Sequence, residues 1–174
     1  MVVDLEQAVR TRRTHKVFAP EPLSRETLDE LFELARWAPN HHLTNPWRFR
    51  VIGLRTRERL KQLSEAAKPG SAAKLDRAPT LVLASARLTG DSTQDEEDVI
   101  SGALACYIVL LAAHARGLAG YWRTVSLLDE PQGRALLGIG QQERILGLLN
   151  LGYPRQQQRT PDRSPVAEIA CYLD

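Results

Sequence analysis

Cysteine is scarce in this 174-residue chain: only Cys106 and Cys171 occur, with no CxxC pair and no metal-like spacing. That usage fits a reducing compartment. Excess charge is also small. Lys and Arg total 23 against 21 Asp and Glu, a formal +2, too little to make nucleic acid or a membrane the main partner, although a local anion site stays open. Long apolar runs are missing too; the longest, 103–113, is broken by His114 and Arg116 and is too short for a bilayer. The opening MVVDLEQAVRTRRT is charged from its fourth residue and does not read as a signal peptide. No GxGxxG, P-loop or GxSxG pattern occurs, so any chemistry comes from a bound cofactor and not from a side-chain nucleophile. The expectation is one cytoplasmic domain over 1–174, without internal repeats.

Helices and strands alternate irregularly, which favours an α+β fold over a doubly wound sheet. Asp4 caps a first helix with Leu5, Ala8 and Val9 on one face. Ser24 opens a second, in which Leu28, Leu31, Phe32, Leu34 and Ala35 keep helical spacing until Pro39. Residues 47–54 predict a strand, 57–67 a polar amphipathic helix, and the apolar run 79–86 a central strand. An acidic loop is expected over 90–98. A helix apolar almost all round follows over 99–116, hence a buried one. Strands are expected at 120–125 and 144–151, with a short helix at 131–137 between them. After a Gln/Arg-rich linker, VAEIACYL (166–173) has strand character and must pair with something outside the linker, such as another subunit.

Three stretches carry candidate chemistry. RRTHK (12–16) gathers bidentate Arg donors, a hydroxyl and further cations that can grip a phosphate; basic residues at a helix C-terminus also simply complement its dipole. APNHHLTNPWRF (38–49) packs two histidines, two asparagines and a tryptophan between prolines that forbid a helix. His41, His42 and Asn45 there can donate to a flat heteroaromatic ligand that Trp37 or Trp47 covers. The plain alternative is a turn in which Asn40 supports the backbone and Trp47 fills the core. As a zinc site it is poor, because adjacent histidines do not converge easily. In GYWRT (120–124), Trp122 and Arg123 point to opposite faces of a strand, so an inward Trp122 leaves Arg123 facing solvent or an anion.

Together these segments, in this order, resemble the FMN-dependent nitroreductase family, closest to its compact subgroup. RRTHKVF resembles the family's Arg-Arg-Ser-x-Arg-x-Phe signature; ETLDELFELARWAPNHHLTNPWRFRVI resembles its second helix and the following Pro-Trp-x-Phe segment. GLAGYWRT and GLLNLGYP resemble two later stretches. The resemblance implies FMN held by Arg12, Arg13, Thr14, Lys16, Trp37, His41, Asn45, Trp122, Arg123 and Thr124. It implies no catalytic side chain and no metal. Thr14 stands for the usual serine, Lys16 for an arginine, Asn45 for a glutamine, and Trp37 for an arginine of the compact subgroup. The implied fold is a mostly antiparallel sheet flanked by helices, in an intertwined homodimer. The helix over 99–116 lies in the dimer core and 155–174 forms an arm onto the partner, its closing strand exchanged. His41 would then reach FMN held mainly by the other subunit. The implied reaction is ping-pong hydride transfer from NADH or NADPH through flavin N5 to a nitroaromatic, quinone or related acceptor. Alternatives are a flavin-binding sensor without turnover, or another flavin reaction on the same scaffold.

Overall fold

The computed structural model describes residues 4–173. Its centre is a four-stranded sheet in the order β1-β2-β4-β3, formed by β1 (Trp47–Val51), β2 (Thr80–Arg87), β3 (Ala119–Arg123) and β4 (Glu143–Gly152). Every pairing is antiparallel. The helices are α1 (Leu5–Thr11), α2 (Arg25–Ala35), α3 (Leu54–Ala67), α4 (Ser92–Ala115) and α5 (Pro131–Leu136). This is the α+β architecture expected from the sequence.

Both faces of the sheet are covered, which explains why β2 reads as an unbroken apolar run: residues 81–86 are wholly buried. One face carries Val82, Ala84, Leu149 and Leu151 against α2 and α4, through Leu31, Ala35 and Val109. The other carries Leu81, Leu83, Leu148 and Ala119 against Leu60 of α3, Leu75 and Leu128. Burial at roughly 25 cal/mol per Å² of apolar surface is what holds these layers together.

β3 is an edge strand, and the chain after α1 lies beside its start. Thr14 bridges Gly120 in parallel fashion, and His15 N–H donates to the Gly120 carbonyl at 3.1 Å. In β4 the pairing slips: Ala84 faces Gly147 but Ser85 faces Ile145, leaving Leu146 as the extra residue of a bulge. Gly147 sits at φ 140°, and a Cβ there would lie 2.5 Å from Trp122 Nε1 and 2.7 Å from the Arg123 carbonyl oxygen. The bulge therefore admits only glycine. It turns the Leu146 carbonyl to accept from Trp122 Nε1 at 2.9 Å, pinning the indole to the sheet.

The caps fall where the sequence puts them, Asp4 accepting from Gln7 N–H and Ser24 from Thr27 N–H. Four expectations differ. The acidic loop over 90–98 is mostly helix: Asp91 caps α4 by accepting from Thr93 and Gln94 N–H, and acidic residues suit a helix start despite their polarity. β1 stops at Val51 and α3 begins at Leu54, because Gly53 provides the extended N-cap. The helix over 99–116 is not buried all round, since Ile100 is 61% and Leu104 41% exposed. It is the one described helix long and apolar enough to cross a membrane, yet half of that stretch is buried in this fold. Finally, 166–173 forms no strand; Val166–Glu168 makes a short 3-10 turn and the segment is exposed, with no strand paired to it among the described residues.

Candidate active site

The first group of residues lies where α1 meets β3. Arg12 ends α1, and its guanidinium stands 6.0 Å from the centre of the Tyr107 ring on α4. Arg13 donates through Nη1 to the Arg12 carbonyl at 2.7 Å, while its Nε is buried without a partner. Thr14 and Lys16 are exposed. Further along the β3 edge, Trp122, Arg123 and Thr124 line a cavity of about 710 Å³ with Lys74, Arg77, Tyr121 and Leu146. Trp122 turns towards the α4 face and Arg123 away from it, as strand alternation requires. Arg123 donates to the Lys74 carbonyl at 3.1 Å. Burial, and then the neighbouring Arg77, pull the Arg123 pKa below its ordinary value. Three cations and no carboxylate line this cavity, so it has a positive potential suited to an anionic ligand. A second cavity of about 760 Å³ adjoins it, sharing Lys74, Arg123 and Thr124.

Trp37, His41 and Asn45 are elsewhere. Trp37 is 75% exposed, and with Asn45 it lines a separate cavity of about 630 Å³. The turn between them is strained: His42, Leu43 and Asn45 have φ of 53°, 52° and 47°, a left-handed conformation that costs on the order of 1–3 kcal/mol for a residue other than glycine. Specific bonds hold it. Asn40 Oδ1 accepts from Asn45 N–H at 2.9 Å, and the Asn45 amide donates to the Leu43 carbonyl at 2.8 Å. Thr44 donates to Asp98, which is 1% exposed. His41 Nδ1 lies 2.6 Å from Glu97 Oε2. A carboxylate only accepts, so Nδ1 carries the hydrogen and Nε2 is left as the free acceptor of a half-exposed ring.

The structure sets Thr14 against the start of β3 at Gly120, with Arg12 and Arg13 just before it, and Trp122, Arg123 and Thr124 at the other end of that strand; Trp37, His41 and Asn45 lie in and before the turn leading to β1. α4 measures the separation. Thr11 touches it at His114 and His41 at Glu97, 17 residues or about 25 Å apart along the axis. Sequence reading missed Lys74 and Arg77. They sit in the short turn before β2, within a segment whose only signal was two basic residues among alanines, Leu75 and Asp76. Among the described residues, no group of three or more His, Cys, Asp or Glu could hold a metal ion.

Comparison with known proteins agrees with this architecture. The chain is 30% identical over 176 residues to the Escherichia coli K12 protein called "Putative NAD(P)H nitroreductase YdjA", covering 92% of this chain and 96% of that one. Its fold matches a nitroreductase-like family protein from Bacillus cereus with a TM-score of 0.89 at 22% identity, over 100% and 98% of the two chains. It also matches the FMN and NADPH-dependent nitroreductase NfnB from sphigopyxis sp. strain HMH, with a TM-score of 0.82 at 16% identity over 99% and 100%. The model of the Nitroreductase family matches residues 9–68 and 55–153. With the sheet, the β3-edge cavity and the sequence segments all in place, the chain belongs to the Nitroreductase family.

Proposed function

We propose that this protein is an FMN-dependent oxidoreductase that uses NAD(P)H to reduce nitroaromatic, quinone or related acceptors by a ping-pong mechanism. The observation that carries the reading is the carboxylate-free cavity along β3, lined by Lys74, Arg77 and Arg123, on the strand whose start Thr14 bridges. An FMN phosphate and ring fit these residues. Arg13 has a buried, unpartnered Nε to offer, and among the described residues no strand lies beside the outer edge of β3 beyond Gly120, leaving backbone groups for a flat heterocycle. FMN, when bound, supplies hydride transfer at N5.

The chain's own residues do the rest. Arg12 and Arg13 neutralise the phosphate, with Thr14 adding a hydroxyl and Lys16 a further charge. Lys74, Arg77 and Arg123 give the cavity a positive potential, which would raise a bound flavin's affinity for electrons. Trp122, pinned by its bond to Leu146, fixes the β3 edge that would support a bound flavin. Trp37, His41 and Asn45 are contributed by a second copy and close the acceptor side. The arm over 155–174 wraps that copy as part of the same single domain. The exposed Ile100 and Leu104 on α4, with Val166, Ile169, Tyr172 and Leu173 on the arm, are the apolar surface such a homodimer would cover. The acceptor is a small molecule rather than nucleic acid, and both cysteines stay unpaired, as in the cytoplasm.

The test is an absorbance spectrum of freshly purified protein, before and after anaerobic NADPH and then NADH. Flavin bands that bleach with either donor support the oxidoreductase. Bands that persist overturn the catalytic reading in favour of a flavin binder. A colourless protein that takes up no added FMN removes the cofactor altogether.

A further inference from the structure

Behind Arg12 and Arg13 lie two imidazoles that the proposed reaction does not use. His15 is only 9% exposed, and its Nδ1 is buried with no hydrogen-bond partner. His114, in the last turn of α4, has Nε2 at 2.8 Å from Thr11 Oγ1. That hydroxyl already donates its one hydrogen to the Gln7 carbonyl at 2.6 Å. It must therefore accept from His114, so Nε2 carries the hydrogen and Nδ1 is the bare, protonatable nitrogen.

The surrounding charges have one sign. Arg12 acts on both imidazoles, and Arg13 and His15 act on His114; no carboxylate is among the charges that perturb either ring. Of the other groups on the packed elements, Arg10 is paired with Glu6 on α1 and Arg116 with Glu30 across to α2. Tyr107 of α4 lies beneath Arg12, and Lys16 is exposed on the same segment as His15. Burial first, and Arg12 second, hold both histidines below their ordinary pKa, so the ligand-free cluster keeps them neutral.

We infer that this cluster binds a phosphomonoester together with a proton, taken up from solvent at His114 and His15 behind the two arginines. The inference rests on the FMN reading, with the cofactor phosphate as the ligand. A dianion beside the cluster reverses the sign of the local field, so an imidazole that is neutral without it becomes stable as the cation. Binding and protonation are then linked: one proton taken up per phosphate tightens binding about tenfold for each unit of pH lowered. The limit is the phosphate itself, whose second pKa near 6 begins to remove the dianion.

The experiment measures dissociation constants of FMN and of riboflavin for the full chain stripped of flavin, by fluorescence quenching in phosphate-free buffers from pH 8 to pH 6.5. Inorganic phosphate serves as a competitor. The expected result is FMN affinity rising severalfold to tenfold per unit of pH lowered, with riboflavin flat and competition by phosphate following the FMN slope. His114→Gln keeps a donor for Thr11 and should flatten the FMN slope. His15 is buried and its replacement risks misfolding, so calorimetry on the unaltered chain, in two buffers of different ionisation heat, counts the protons directly. FMN that binds more tightly than riboflavin, but with no pH slope and no proton uptake, overturns the inference and leaves the cofactor assignment standing. FMN that binds no better than riboflavin at any pH overturns both.

Discussion

The two ends of α4 hold chemistry of opposite construction. At its C-terminal end, Arg12, Arg13, His15 and His114 form a cationic group without a carboxylate, braced by the Thr14–Gly120 bridge to the sheet. At its N-terminal end, the HHLTN turn is a strained loop held down by carboxylates, Glu97 on His41 and the buried Asp98 on Thr44. The first end is short of negative charge and suits an anion; the second is internally satisfied and offers rings and a free imidazole nitrogen. Affinity on this reading comes from the first and coverage of the ring from the second.

The largest effect expected is at the β4 bulge that pins Trp122 and Arg123. Gly147→Ala forces a side chain into Trp122 and the Arg123 carbonyl at φ 140°, which should cost about 3 kcal/mol or more. Chemical denaturation would read the loss, and flavin content should fall with it. Next, Asp98→Ala removes the buried acceptor of Thr44 and Gln94, worth about 1.5–3 kcal/mol. It should free the turn while leaving phosphate-dependent affinity intact, a contrast that FMN and riboflavin titrations would expose. Arg12→Ala should do the reverse, weakening FMN by about 10–100-fold, the equivalent of losing one charge-assisted bond, with riboflavin unaffected. If both variants lost FMN and riboflavin alike, the division of labour would be wrong.

A smaller effect concerns pH. His15 and His114 have folded pKa values below the ordinary 6.5. As pH falls through that value, the unfolded chain takes up protons first and is favoured. The melting temperature of flavin-free protein should thus decline below pH 6.5, and bound phosphate should oppose the decline. The smallest effect is Glu97→Ala. The His41–Glu97 pair is largely exposed, so stability should change by less than about 1 kcal/mol, and only kcat with acceptor should register the loosened imidazole.

The same contrast governs what could be read before any coordinates. β2 and the apolar part of α4 were legible because burial on most sides leaves a continuous apolar run. RRT and WRT could be singled out because their residues are contiguous in sequence. Lys74 was not: it meets Arg123 only because the turn before β2 folds back on β3, and nothing local encodes that meeting. The start of α4 was misread because Asp91 and the acids after it are polar for capping, not for looping. The strand expected in 166–173 followed from β-branched and aromatic residues, but propensity forms no ladder without a partner strand. Trp37, His41 and Asn45 were singled out by the composition of their segment and tied to FMN by resemblance, but no composition could have shown that one chain holds them away from Arg12.

That distance has a consequence for dose and inheritance. If one ligand must be gripped by both ends of α4, no single chain can do it, and cofactor retention becomes a second-order property: dilution alone should bleed flavin from a wholly intact protein. Two differently damaged copies should also rescue each other. A chain lacking Arg12 and a chain lacking His41, each impaired with itself, would form mixed pairs in which one of the two sites is whole.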